Sequence, residues 1–300
     1  MTRLARLLAL PLVIGLSACS GGADADVQTD AVNEPVAETV QPAAETAPEA
    51  SALSLAEAVN HPRRADDAPR DQYRNPEATL EFFGVGPGQT VAEIWPGWYT
   101  PIMAPYLAAN GGEYVAVLFP EGVSERLDTR INAFKERYAD TETFGEIGYG
   151  SFSGDTGLSL EDGSVDMILT FRNVHNWMGG DYADAAFEEF YRALKPGGIL
   201  GVVEHRLPET RTQDPSGATG YVQESYMKAL AADAGFEFVE SSEVNANPND
   251  TADHPLGVWT LPPRSRVPDA GTPEANGFDA ELYRNIGESD RATLKFRKPE

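Results

Sequence analysis

The amino-acid sequence predicts a doubly wound α/β domain around a largely parallel sheet. Three observations carry that expectation. Short, nearly continuous apolar runs recur along the chain, as in VDMILT (165–170) and ILGVVE (199–204), and such runs suit strands buried on both faces. Between them lie segments whose apolar residues fall at helical spacing, such as Phe187, Phe190 and Leu194. Turn chemistry separates helix from strand, most clearly at Lys195-Pro196-Gly197-Gly198, where Pro196 cannot continue a helical ladder. Such alternation gives a parallel sheet covered on both faces, and sheets of this kind bind ligands at the carboxyl ends of their strands.

Taken in order, Asn75 as N-cap and Pro76 as first helical residue open a helix whose apolar residues are Leu80, Phe82 and Phe83. The Val85-Gly86-Pro87-Gly88 turn leads into a strand over 90–94, which Pro96-Gly97 ends. A helix over 101–109 turns Ile102, Tyr106 and Leu107 inward, and a second strand follows over 113–119. Ser124 caps a helix carrying Leu127, Ile131, Phe134 and Tyr138. A weaker strand over 143–147 precedes the fourth strand at 165–170 and the fifth at 199–204. Val222, Tyr226 and Leu230 mark a helix over 221–234 that Gly235 closes. A strand over 236–241, an irregular excursion over 245–280 and a strand over 291–296 complete the chain. No crossover helix separates the last two strands, which leaves antiparallel pairing open to them.

Charge and the N-terminus bound the setting. The net charge of −24 opposes contact with nucleic acid or anionic membrane surfaces, so neither is expected as a partner. Arg3 and Arg6 precede an apolar run over 7–16 and then Ser17-Ala18-Cys19, the order of a secretory signal. Its end resembles the lipobox of bacterial lipoproteins, and Cys19 is the only cysteine in the chain. The resemblance implies a signal peptide over 1–18, lipidation of Cys19 and a periplasmic protein anchored in a membrane. Ser20 in place of an aspartate favours the outer membrane. Residues 21–50 carry seven acids and no Lys or Arg, so they cannot bury enough apolar surface to fold. The expected organisation is a signal over 1–18, an acidic tether over 19–52 and one domain over 53–300.

Within that domain, ALKPGGIL, TFRNVHNW and the closing ESDRATLKFRKP together resemble class I S-adenosylmethionine-dependent methyltransferases. RDQYRNPEATLEFFG, EIWPGWYTPIMAPYL and FRNVHNWM are more specifically similar to a family of predicted, often secreted, bacterial methyltransferases. The resemblance implies a seven-stranded Rossmann-like sheet with an antiparallel last strand, S-adenosylmethionine as cofactor and a small-molecule methyl acceptor. By the same resemblance, Glu93 in the first strand and Gly97 after it face the cofactor, Glu121 serves the ribose, Asp155 lies by the adenine, and Arg172 and Asn173 after the fourth strand complete the cofactor-binding set. Two departures matter. The loop after the first strand reads Trp95-Pro96-Gly97-Trp98-Tyr99, where the family has several glycines. Trp98 and Tyr99 either turn away or fill the cofactor's place. Leu118 stands where the family ends its second strand with a ribose-binding acid, and Glu121 arrives late.

His175 and Asn176 follow the fourth strand, while Glu204 and His205 close the fifth, its expected neighbour. Methyl transfer needs positioning and removal of a proton, so His175 is the expected base, with Asn176 and Glu204 beside the acceptor. Two imidazoles and a carboxylate also suit zinc, but no short ligand spacing supports a metal and none is assigned. The alternative to an enzyme is a ligand-binding lipoprotein with a degenerate methyltransferase fold.

The lipobox reading has a direct test. Cys19→Ala should abolish incorporation of labelled fatty acid and release the chain from the membrane fraction, because the only acylatable thiol is gone. Full retention with membranes would overturn it.

Overall fold

A computed structural model describes residues 52–300. The signal segment, Cys19 and nearly all of the tether lie outside the described residues. Ser54 opens helix α1 (Leu55–Val59) with a reciprocal cap, its side chain accepting from Glu57 N while Glu57 accepts from Ser54 N. Short helices α2 (Asp71–Arg74) and α3 (Pro76–Phe83) precede strand β1 (Thr90–Ile94). Then come α4 (Thr100–Ala109), β2 (Glu113–Leu118), α5 (Glu125–Arg137) and α6 (Thr141–Phe144). A hairpin of β3 (Ile147–Ser153) and β4 (Gly157–Leu158) leads to β5 (Val165–Phe171). The second half runs α7 (Val174–Gly179), α8 (Ala183–Ala193), β6 (Leu194–His205), α9 (Glu224–Asp233), β7 (Glu237–Ser242), α10 (Ala280–Ile286) and β8 (Arg291–Arg297).

The sheet has eight strands in the order β4-β3-β2-β1-β5-β6-β8-β7. Strands β3, β2, β1, β5 and β6 are parallel, and β8 is antiparallel to both of its neighbours. This is the Rossmann-like methyltransferase fold, with one strand beyond the seven expected. The extra one is the two-residue β4, which pairs only with β3. Alternation along each strand splits the core between two faces. Ala92, Ile94, Ile168 and Val202 pack with Phe187 and Phe190 of α8. Val91, Met167, Leu169 and Val203 face α3 and α4 through Leu80, Phe83 and Ile102.

Several boundaries differ from expectation for identifiable reasons. The strand expected at 143–147 begins at Ile147 instead, because Asp140 caps the α6 turn by accepting from Glu142 N. Its Gly148 and Gly150 carry no strand signal in sequence. In the sheet they permit close approach, since a Cβ on Gly150 would lie 2.9 Å from Leu160 Cδ2. Leu194 to Gly198 is not a free turn but the irregular start of β6, paired to β5 across a register shift. Asn75 does not cap α3 with its side chain: it stands in the left-handed region (φ 37°) and donates to Val244 O at 2.6 Å. Tyr221 and Val222 precede α9, with Val222 bridged to Arg206. Helix α10, near the end of the stretch read as irregular, has no long apolar face to announce it.

One buried ionic cluster ties the start of the domain to its end. Glu288, 2 % exposed, accepts from Arg70 Nε at 2.6 Å and Arg74 Nε at 3.0 Å, and it pairs with Arg291 Nη2. Burial alone would raise its carboxyl, but Arg291, Arg74 and Arg70 hold it at about 2. Glu288→Gln should cost about 3–5 kcal/mol in urea unfolding, because three guanidinium groups lose their counter-charge. The native carboxyl is depressed, so its contribution is complete above the unfolded value and disappears as pH falls toward 2. Between pH 5 and 3 the variant should therefore lose less stability than the parent.

Candidate active site

The parallel strands end level with one another, and this alone brings distant segments together. Ile94 pairs with Thr170, and Phe171 with Val203. Trp95 N donates to Val117 O at 2.8 Å and Arg172 N to Val203 O at 2.7 Å, so both chains leave the sheet at one height. Above this edge lies a cavity of about 650 Å³. Its walls come from Trp95, Pro96 and Gly97 after β1, Phe119 after β2, and Arg172, Asn173, His175 and Asn176 after β5. His205 at the end of β6, Arg130 of α5 and Arg291 at the start of β8 add to it. Val258, Trp259 and Leu261 to Arg264 close the far side. The volume falls within the roughly 300–1,000 Å³ of small-molecule sites.

The aromatic loop after β1 divides sharply. Tyr99 and Trp98 turn away from the cavity. Tyr99 is buried, stacks on Phe171 at 3.9 Å and donates to Arg74 O at 3.1 Å. Trp98 lies between the guanidinium groups of Arg64 and Arg74, each 4.8 Å from its ring. Trp95 stays on the cavity wall. Its ring stacks on Phe119 at 4.2 Å, and its Nε1 donates to Phe152 O at 3.1 Å. Trp95 has φ 50°, a left-handed conformation that costs a non-glycine residue about 1–2 kcal/mol. Gly97 is not in that region, and a Cβ built on it meets nothing within 4 Å. Gly97 thus offers open backbone to the cavity, while the backbone strain of the loop sits at Trp95.

The remaining expected cofactor residues separate. Glu93 is 2 % exposed beneath the cavity, accepting from Tyr114 OH at 2.6 Å, with Thr100 Oγ1 2.9 Å from the same hydroxyl. Burial pushes its carboxyl up to about 7, against the lowering effect of its hydrogen bonds and of Arg172. Asn173 ties the end of β5 to β1, donating to Ile94 O at 3.0 Å and Thr170 Oγ1 at 3.1 Å. Glu121 does not reach the cavity. It is exposed and paired with Lys135 at 2.6 Å, so the place at the end of β2 is left to Leu118 and Phe119. Asp155 is exposed on the β3–β4 turn, and Phe152 is packed in the core against Trp177 and Phe190, so neither lines this cavity.

On the acceptor side, Glu204 is fully buried and serves as an anchor. It accepts from His175 N at 3.3 Å and His205 N at 2.8 Å, and His175 Nδ1 lies 3.1 Å from its Oε1. A carboxylate that accepts from Nδ1–H keeps the ring proton on that nitrogen and leaves Nε2 with its lone pair. His205 Nδ1 contacts Ser289 Oγ at 2.5 Å. Burial, then His175 and nearby arginines, push His205 well below its ordinary value, so it is neutral. His175, Glu204 and His205 bring ligand-type atoms within 4.8 Å of one another. The arginine field that depresses His205 also opposes a cation, and the carboxylate is already engaged by both histidines. The geometry is that of a hydrogen-bonded base.

Sequence reasoning missed Arg130, Arg264, Arg291 and Trp259 as cavity residues. They come from a solvated helix face, an aperiodic excursion and the start of the closing strand, whose resemblance implied a strand but no role for Arg291.

Comparison with known proteins places a methyltransferase domain family on residues 97–202, about a third of the chain. That match spans Gly97, strands β2 and β5, and His175. No curated protein matches the chain. Among solved structures, it is similar to a SAM-dependent methyltransferase from Aquifex aeolicus (20% identity, TM-score 0.47, covering 64% of this chain and 93% of that one). It is also similar to a putative methyltransferase from Haloferax volcanii, solved with the Trm112 methyltransferase activator (18%, 0.47, 82% and 97%). A third is the [4+2]-cyclase SpnF (18%, 0.47, 75% and 80%). Likeness at this level fixes no reaction.

Glu93 generates a pH prediction. Its native pKa is raised, so the folded chain holds a proton that the unfolded chain has lost between about pH 4.5 and 7. Stability from this group is therefore present at low pH and lost as pH rises through 7. Glu93→Gln should flatten the fall in unfolding free energy between pH 5 and 8 by about 3 kcal/mol at most, since one pKa unit is about 1.4 kcal/mol. An unchanged pH profile would mean that Glu93 is already ionised in the folded chain.

Proposed function

We propose that the chain is an S-adenosylmethionine-dependent methyltransferase acting on a small molecule, held outside the cytoplasm by lipid on Cys19. The observation that carries the catalytic reading is the His175–Glu204 pair on the wall of an open cavity at the carboxyl edge of the sheet. The domain-family match over residues 97–202 supports the reaction class. The signal-like N-terminus and its single cysteine support the location.

The cavity fits the methionine end of the cofactor, because Gly97 presents unobstructed backbone to it and Trp98 and Tyr99 point elsewhere. When bound, the cofactor supplies a methyl group on a sulfonium sulfur. Asn173 fixes the end of β5 to β1 and so holds both cavity loops in register. Glu204 orients His175, whose Nε2 accepts the proton that the acceptor loses. Glu204 is a positioning residue, since His175 stands between it and the cavity.

A second reading has its own observation. Leu118 replaces a ribose-binding acid, and the Trp95 ring covers Phe119 between the ends of β1 and β2. These favour a binding protein that retains the fold without the reaction. Titration of the full chain with S-adenosylhomocysteine separates the two, and micromolar binding is expected for the enzyme. Gly97→Val should weaken that binding by at least about tenfold, or about 1.4 kcal/mol, with little loss of melting temperature, since a Cβ at Gly97 meets nothing within 4 Å. His175→Ala should lower turnover by about two to four orders of magnitude while leaving the titration nearly unchanged. Absence of binding at millimolar ligand would sink the enzyme reading.

A further inference from the structure

The charge lining the cavity is opposite to that of the chain. The chain carries −24, yet among the described residues the wall presents Arg130, Arg172, Arg264 and Arg291 and no carboxylate. The nearby acids are already engaged. Glu204 is occupied by the two histidines, and Glu288 by Arg70, Arg74 and Arg291. Arg172 is the telling member. It is half-buried, held at φ 64°, and makes no side-chain hydrogen bond or ion pair among the described residues. Burial and Arg291 push it down to about 10, which still leaves it cationic at neutral pH. Beneath it, Arg291 is 2 % exposed and its Nε has no partner. Arg264 and Arg130 stand exposed at the rim.

A half-buried guanidinium without a protein partner leaves its donors free for an anionic ligand, and a partly dry setting strengthens such a pair. The cofactor does not complete it well. S-adenosylmethionine has a sulfonium and an ammonium against a single carboxylate, so its binding makes the cavity more positive.

We propose that the cavity selects a methyl acceptor bearing an anionic group, a carboxylate or a phosphate, bound by Arg172 with Arg264 and Arg130 closing over it, so that its reacting atom faces His175 Nε2. Planar guanidinium groups suit these anions because they pair with them through two parallel hydrogen bonds. This rests on the methyltransferase reading and narrows its substrate class.

The test is calorimetric titration of the full chain, at fixed ionic strength, with inorganic phosphate and with succinate. Each is run with and without saturating S-adenosylhomocysteine. At least one anion should bind alongside S-adenosylhomocysteine. Arg172→Gln should weaken the anion by at least about tenfold, a typical weight for a charge-assisted pair, and change S-adenosylhomocysteine affinity by less than about twofold. Arg264→Glu, an exposed substitution without a folding penalty, should also weaken the anion. If neither anion binds at tens of millimolar, the proposal is overturned. Competition between anion and S-adenosylhomocysteine, with both lost in Arg172→Gln, would assign Arg172 to the cofactor's carboxylate; that overturns the proposal and leaves the methyltransferase reading standing. Arg172-dependent anion binding without any S-adenosylhomocysteine binding would support the anion site and remove the methyltransferase reading.

Discussion

Glu288 is the group on which much of the domain's organisation turns. Its buried carboxylate collects Arg70 and Arg74 from the first helices and Arg291 from the last strand, with only Arg70 reaching toward water. A buried ion pair is weak evidence for net stability, because desolvation offsets much of the attraction, but it is strong in specifying geometry. Here it joins segments more than two hundred residues apart. The same cluster sets Arg74 against Trp98, which draws that ring away from the cavity, and it fixes Arg291 on the cavity wall. The openness of the site thus depends on a charge cluster that reaches its wall through Arg291.

The second constraint is the sheet itself. Parallel strands in register deliver their carboxyl ends to one line, and the loops that follow converge there whatever their sequence separation. Asn173, bonded across from β5 to β1, secures the convergence. Glu204 takes part in the adjacent junction, holding the start of α7 through His175 N and the end of β6 through His205 N. One carboxylate thereby satisfies two backbone donors and orients one ring. Buried polar groups persist when they are completed in this way.

The site also holds a conflict between the two departures from the methyltransferase pattern. Gly97 keeps its place open, but Trp95 takes a left-handed backbone that glycine would adopt without strain, and its ring is stabilised by the stack on Phe119. Strain of this kind persists only where surrounding contacts hold it. The bond from Trp95 Nε1 to Phe152 O and the edge contact with Trp177 supply that hold. The aromatic loop is therefore one wall of the cavity that Arg172 and His175 also line.

By itself, the sequence determined the alternating α/β order, the span of β1, the caps at Ser124 and Gly235, and the grouping of His175 with Glu204. These are local: apolar period, turn chemistry and the ends of buried strands are written in neighbouring residues. Sequence alone did not show β3 through its glycines, because the reason for them is close packing by Leu160 and Ser159 from another segment. Nor did it show that Glu121 pairs with Lys135 instead of reaching the cavity, or that Trp98 and Tyr99 turn away while Trp95 remains. A side chain's direction depends on which partners the fold brings to it, and those partners lie far along the chain. The arginine lining is the fullest case. Arg130, Arg172, Arg264 and Arg291 share no motif and no period, and only the closure of the sheet, α5 and the 258–264 loop around one space makes them a site.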